Sequence, residues 1–167
     1  MKNRRKRSLF AIGVIVAYIL SVVAIQLAST GEKIRPEEFP EMCPDNSLNC
    51  SMIGPNSYRS NGITELRFNS SLETVMSESR DWVDSQPRTE IIGEWHNQTH
   101  SVFTSLLFRF QDDFVVKGFC EEGFAVIHVY SQSRLGISDI GANKHRVSSF
   151  ASHMSSVEMA TSDCVMG

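Results

Sequence analysis

Hydrophobic positions fall into three patterns along the chain. The first is a continuous run. No residue from Ser8 to Thr30 is charged, and the nineteen residues from Leu9 to Leu27 are almost all apolar. At about 1.5 Å per residue a helix of that length spans roughly 28 Å, close to the hydrocarbon thickness of a bilayer. The second pattern has helical spacing. Leu72, Val75, Met76, Ser79, Trp82 and Val83 share one helix face, and Ser70 and Glu73 are spaced as a capping box. Val147, Phe150, Ala151, Met154 and Val157 form a similar stripe. The third pattern is that of strands: Ile63 to Phe68, Ile91 to His96, Val102 to Arg109, Phe114 to Phe119 and Phe124 to Ser131. Gln111-Asp112-Asp113 reads as a turn, and Cys120-Glu121-Glu122-Gly123 reads as a hairpin turn. Residues 43–62 read as loop.

The order strand, helix, four strands, helix predicts an α+β two-layer sandwich. An antiparallel sheet of about five strands with two helices on one face buries both stripes. The order is TBP-like or helix-grip-like, which is a likeness of architecture and carries no function. Trp82 and Trp95 are expected to anchor the helix–sheet core. The expected division is a basic cytoplasmic segment 1–7, a transmembrane signal anchor 8–30, a charged, proline-containing linker 31–42, an exported globular domain 43–157 and a tail 158–167.

Charge supports export. Lys2, Arg4, Arg5, Lys6 and Arg7 precede the apolar run. Such a flank stays in the cytoplasm and sends the rest of the chain outside. A cleaved signal peptide, with Ala28 and Thr30 as a weak cleavage site, is the alternative, and it exports the same residues. The expectation is a single-pass membrane protein with an extracytoplasmic domain, periplasmic if the source is bacterial. Of 16 Lys+Arg, five precede the run and 11 follow it, whereas all 19 Asp+Glu follow it; the exported part is 11 − 19 = −8. An acidic domain repels phosphate backbones, so no nucleic-acid partner is expected.

Cys43, Cys50, Cys120 and Cys164 lie in the exported part, where disulfides form. Cys43 and Cys50 flank a turn-rich loop that closes easily. Cys120–Cys164 then follows by elimination, although four cysteines allow three pairings. No metal is expected, because no C-x-x-C occurs and no histidine stands at ligand spacing beside the first pair. No cofactor is expected. His96 and His100 read as loop histidines.

Polar chemistry concentrates in SQSRLGISDIGANKHRV, Ser131 to Val147. Gly136 and Gly141 permit tight turns or close backbone approach. Asp139 stands where a strand hands over to a helix and is placed to cap its N–H groups. Arg134 is placed to reach Asp139, Asp112 or Asp113. Asn143 and Arg146, three apart, share a helix face. One reading is a polar joint. The other is an anion-receiving pocket of Arg134, Ser138, Asp139, Asn143, Arg146, Asp112 and Asp113, with the two arginines flanking a helix N-terminus. No Ser-His-Asp order, nucleophile elbow or Gly-rich phosphate loop is present.

Three stretches together, CPDNSLNC, FRFQDDF and SQSRLGISDIGANKHRV, resemble the domain of unknown function 1499 family over about Cys43 to Met154. The matching residues are Cys43, Pro44, Asp45, Asn49, Cys50, Asp112, Asp113, Ser133, Arg134, Gly136, Ser138, Asp139, Gly141, Asn143, Arg146 and Val147. The chain departs from the pattern in three ways: six residues rather than five separate the first two cysteines, Leu48 stands where a proline is usual, and Tyr130-Ser131 replaces an Arg-Ser pair. The resemblance implies an exported or membrane-associated domain and no particular activity. Three functions are expected in order. The first is a non-catalytic module binding an envelope protein or a small anionic ligand. Next comes an enzyme acting on an anionic substrate through Arg134, Asp139, Asp112 and Asp113. The last is a structural accessory subunit of a membrane complex.

Overall fold

The structure is a computed structural model that describes residues 2–165. Met1, and Met166 and Gly167 at the end of the expected tail, lie outside the described residues. The apolar run forms one long helix, α1 (Lys2–Ala28). Its stretch Lys6–Ala28 is long and apolar enough to cross a membrane.

The rest builds on one antiparallel sheet. Its strands are β1 (Cys50–Ile53), β2 (Leu66–Phe68), β3 (Thr89–Trp95), β4 (Gln98–Thr104), β5 (Gln111–Glu121) and β6 (Phe124–Ser133). The order across the sheet is β1-β6-β5-β4-β3, with β2 also paired to β6 beyond β1. Six strands stand where about five were expected. The added one is β1, which lies in a region read as loop. All four of its residues are buried, so it lacks the alternation that marks a half-exposed strand.

Two helices, α2 (Leu72–Asp84) and α3 (Ala142–Ser156), pack on one face. The stripe expected on α2 is its buried face. Its N-cap is Ser71, whose hydroxyl accepts from the Thr74 amide at 3.1 Å, and not Ser70, which donates to the Ala160 carbonyl. Trp82 lies against Phe114 and edge-on to Phe150, at the centre of the helix-side core. Trp95 stands on edge strand β3 and is only half-buried.

The other face is covered by the segment 29–41, which crosses it as a strap with a single 3-10 turn at Pro36–Glu38. Ile34 and Phe39 pack there against Cys43, Cys50, Met52, Val115 and Tyr130. Each face also holds a disulfide. Cys43–Cys50 belongs to the strap side and Cys120–Cys164 to the helix side, with Cα atoms 5.9 and 5.4 Å apart. The second brings the segment after α3 back onto the β5–β6 hairpin, where the Cys164 amide donates to the Gly123 carbonyl.

Candidate functional site

Two expectations about local structure fail together here. The expected strand Val102 to Arg109 lies instead at Gln98–Thr104, and Asp112 and Asp113 open β5 rather than forming a turn. Alternation along β5 then points the two carboxylates to opposite faces of the sheet. The site expected as one pocket is therefore two arginine–aspartate pairs with a sheet between them.

On the helix face, Arg146 reaches from α3 and donates through Nη2 to Asp112 Oδ2 at 2.9 Å. Its Nη1 donates to the Ser131 hydroxyl at 3.0 Å and to Asn143 Oδ1. The guanidinium lies 4.2 Å from the centre of the Phe103 ring, a cation–π distance. Asn143 is fully buried, and its amide donates to the Asn49 carbonyl and the Ser133 hydroxyl, both at 3.0 Å. Asn49 in turn donates to the Gly136 carbonyl at 2.6 Å. Three stretches far apart in sequence, around Asn49, at Asp112 and over 131–146, thus close one buried network.

Asp139 accepts from the Gly141 amide at 2.8 Å and the Asn143 amide at 2.6 Å, so its carboxylate closes the N-terminus of α3. Gly141 is the N-cap residue and holds φ +83°, in the left-handed region that glycine enters without strain. Ser138 is exposed, and its hydroxyl accepts only a long bond from the Ile140 amide at 3.4 Å. Of the expected site residues, Asp112, Asn143 and Arg146 meet directly, and Asp139 adjoins them through the Asn143 amide.

On the strap face, Arg134 donates to both oxygens of Asp113, with its shortest contact 2.7 Å. Its Nη1 donates to Gln111 Oε1 at 3.0 Å and to the Ser29 carbonyl at 3.4 Å. Gly31 passes close above it: a Cβ there would lie 2.7 Å from Arg134 Nε, so a side chain at that crossing would push the guanidinium aside. His100 is wholly buried and places Nε2 2.7 Å from Asp113 Oδ1. The Ile34 amide donates to His100 Nδ1 at 2.9 Å, which fixes the ring proton on Nε2, toward Asp113. Gln98 donates to the Ile34 carbonyl at 2.8 Å, and Lys117 to the Pro36 carbonyl at 2.7 Å.

Burial, the largest influence on Asp113, pushes its carboxyl up. The hydrogen bonds from His100 and Arg134 together outweigh it and hold Asp113 below the usual carboxylate value. Burial, aided by the charge of Asp113, raises the Tyr130 hydroxyl to about 12.

His100, expected on a loop, lies instead inside β4 and is wholly buried. Nothing in the surrounding sequence marks it. Its partners are Asp113 on the next strand and the backbone of Ile34, 66 residues away. Among the described residues no group of three or more His, Cys, Asp or Glu is placed to hold a metal ion.

The family whose sequence pattern matches this chain, over residues 36–154, is described as "Protein of unknown function (DUF1499)". No curated protein matches it. The crystal structure of TTHA0849 from Thermus thermophilus is similar with a TM-score of 0.35 and 9% identity, over 63% of this chain and 93% of that one.

Proposed function

The chain belongs to the DUF1499 family, and from that premise we propose that it is a single-pass membrane protein whose extracytoplasmic domain works by interaction, without catalysis of its own. The basic first turns of α1 stay in the cytoplasm, its apolar stretch crosses the membrane, and the domain stands outside it, in the periplasm if the source is bacterial. Two disulfides fit that compartment.

The observation that carries this reading is where the reactive groups are spent. The buried carboxylate–histidine pair, His100 with Asp113, binds the backbone of the strap, and Arg134 binds the same carboxylate and the Ser29 carbonyl where the strap begins. The cluster fastens the domain to its tether and so sets how the domain stands on the membrane. An anion pocket needs an arginine with free donors facing solvent. Arg134 and Arg146 each face a carboxylate and further acceptors, with little of either side chain exposed.

The test is thermal unfolding of the full chain in lipid nanodiscs, as wild type and as Arg134→Ala, with phosphate, sulfate and carboxylates added in turn. The interaction reading expects no soluble anion to raise Tm and the variant to melt earlier. If an anion raises Tm in wild type alone, the reading gives way to a small-ligand site at Arg134.

A further inference from the structure

We infer that the loop end of the sheet is immersed in the outer leaflet of the membrane, where Leu106, Leu107, Phe108, Ile137 and Ile140 meet the acyl chains of lipid. This rests on the reading of α1 as a retained anchor.

Two loops build that end: 105–110, between β4 and β5, and 134–141, between β6 and α3. Their large apolar side chains point outward. Leu106 is 67% exposed, Leu107 64%, Ile137 86% and Ile140 100%. The polar stretch Gln98 to Ser101 just before is buried, so the usual order of inside and outside is inverted along this one segment. Between the loops runs a groove of about 570 Å³, with Leu107, Phe108, Phe110, Leu135 and Ile140 along its walls. A domain surrounded by water does not ordinarily gather so many large apolar side chains at one end, and such a patch marks a surface that something apolar covers.

The course of α1 says what covers it. The Tyr18 hydroxyl donates to the Leu107 carbonyl at 2.7 Å, and the Tyr18 and Phe108 rings lie 6.2 Å apart. Gln26 donates to the Arg109 carbonyl. The loop therefore runs down along the helix. Tyr18 is ten residues before Ala28, which at 1.5 Å per residue puts the loop tip about 15 Å below the outer end of α1, within a hydrocarbon core of about 30 Å. Irregular backbone survives at such depth only where its polar groups find partners in protein. Tyr18 and Gln26, two polar interruptions of the apolar run, supply donors to the loop carbonyls. The Ser105 amide and the Phe110 carbonyl close on each other at 2.8 Å. Arg109 is exposed above the tip, and Lys144 is exposed on the first turn of α3; long cationic side chains of this kind reach up to headgroup phosphates. The patch thus continues the exposed apolar surface of α1 itself, and the same lipid covers both.

The experiment places one tryptophan at a time in the full chain, as Leu107→Trp, Ile140→Trp and, at the opposite end of the sheet, Phe124→Trp. Each variant goes into phosphatidylcholine vesicles with brominated acyl chains, with wild type giving the background from Trp82 and Trp95. Flotation with the vesicles and a thermal melt accompany each measurement. At the depth set by α1, the indoles at 107 and 140 should lose roughly half their emission or more to the bromines. The indole at 124 should lose none. Indoles at 107 and 140 that respond to aqueous iodide and ignore bromine overturn the inference, because that end then faces water. Indoles shielded from both quenchers overturn it too, in favour of a protein cover such as a second copy or a partner subunit. A chain that fails to float overturns the anchor reading and this inference together, whereas flotation without bromine quenching overturns only the inference.

Discussion

On the helix face of the sheet Asp112 meets Arg146; on the strap face, one residue along β5, Asp113 meets Arg134. Each face also has its own apolar cluster and its own disulfide. The two differ in what lies over them. Helices α2 and α3 satisfy their own backbone, so they offer the sheet only side chains, and the sheet answers with Phe103, Phe114 and Val116. The strap has almost no backbone hydrogen bonding of its own. Its N–H and C=O groups must find partners in the layer beneath, which explains why Gln98, His100 and Lys117 point into that face. A regular layer can rest on an apolar face, whereas an irregular one requires buried polar side chains that read its backbone.

The largest test of that contrast removes the disulfides in turn. Cys120–Cys164 joins residues 44 apart and Cys43–Cys50 residues 7 apart. In the chain-entropy account the first contributes about 4 kcal/mol and the second about 2.4 kcal/mol. Denaturant unfolding of the paired Cys→Ser variants should show that order. Equal losses would mean that the strap gains as much from its short staple as the whole domain does from its long one.

The two arginines come next. Arg146→Ala leaves the buried Asp112 carboxylate without its ion-pair donor and takes a donor from Ser131 and Asn143, and should cost about 3 kcal/mol of global stability. Arg134→Ala should cost less, about 2 kcal/mol, because Asp113 keeps His100 as a donor and is nearer to water. Its loss should also be local. Proteolysis near Gly31 should speed up for Arg134→Ala and not for a variant of equal Tm altered on α3. Uniform behaviour of the two variants would erase the distinction between the faces.

The sequence made the helix face legible and hid most of the strap face. The stripes on α2 and α3 are set by a period of 3.6 and by local spacing, so Leu72 to Val83 and Val147 to Met154 could be read directly, while Val157, expected in the same stripe, falls just past the end of α3. The turn and capping residues of 131–147 also stood out, since glycines at 136 and 141 and an aspartate before a helix act within a few residues. Asp112 and Asp113 looked like a turn because two adjacent carboxylates look solvated; their arginines come from 34 and 21 residues away. His100 looked exposed for the same reason. Leu106 to Phe108 read as part of the strand expected over Val102 to Arg109, because they continue its apolar run, whereas β4 ends at Thr104.

The strap clamp itself is open to a milder test. His100→Leu removes the acceptor for the Ile34 amide and one donor to Asp113, a loss of about 1–2 kcal/mol by ordinary hydrogen-bond values. Amide exchange at Ile34 should accelerate well before exchange on α2 does. If Ile34 stays protected, apolar packing of Ile34 and Phe39 holds the strap and the polar clamp is secondary.

The smallest expected effect is an acid one confined to the strap face. The carboxyl of Asp113 lies below its usual value in the folded chain, against about 3.9 when unfolded. Above that unfolded value both states are ionised and the full stabilisation is present. As pH falls, the unfolded chain takes up the proton first, and the contribution is lost as pH passes down through the folded value. Asp113→Asn removes the titration while keeping an acceptor for His100 and Arg134. Wild type should therefore be more stable than the variant at pH 6, by less than the cost of losing Arg134, and the gap should shrink below pH 4. A gap that stays constant from pH 6 to pH 2 would mean that the carboxylate charge adds nothing beyond its hydrogen-bonding shape. Arg134 would then hold the strap as a donor array rather than as an ion-pair partner.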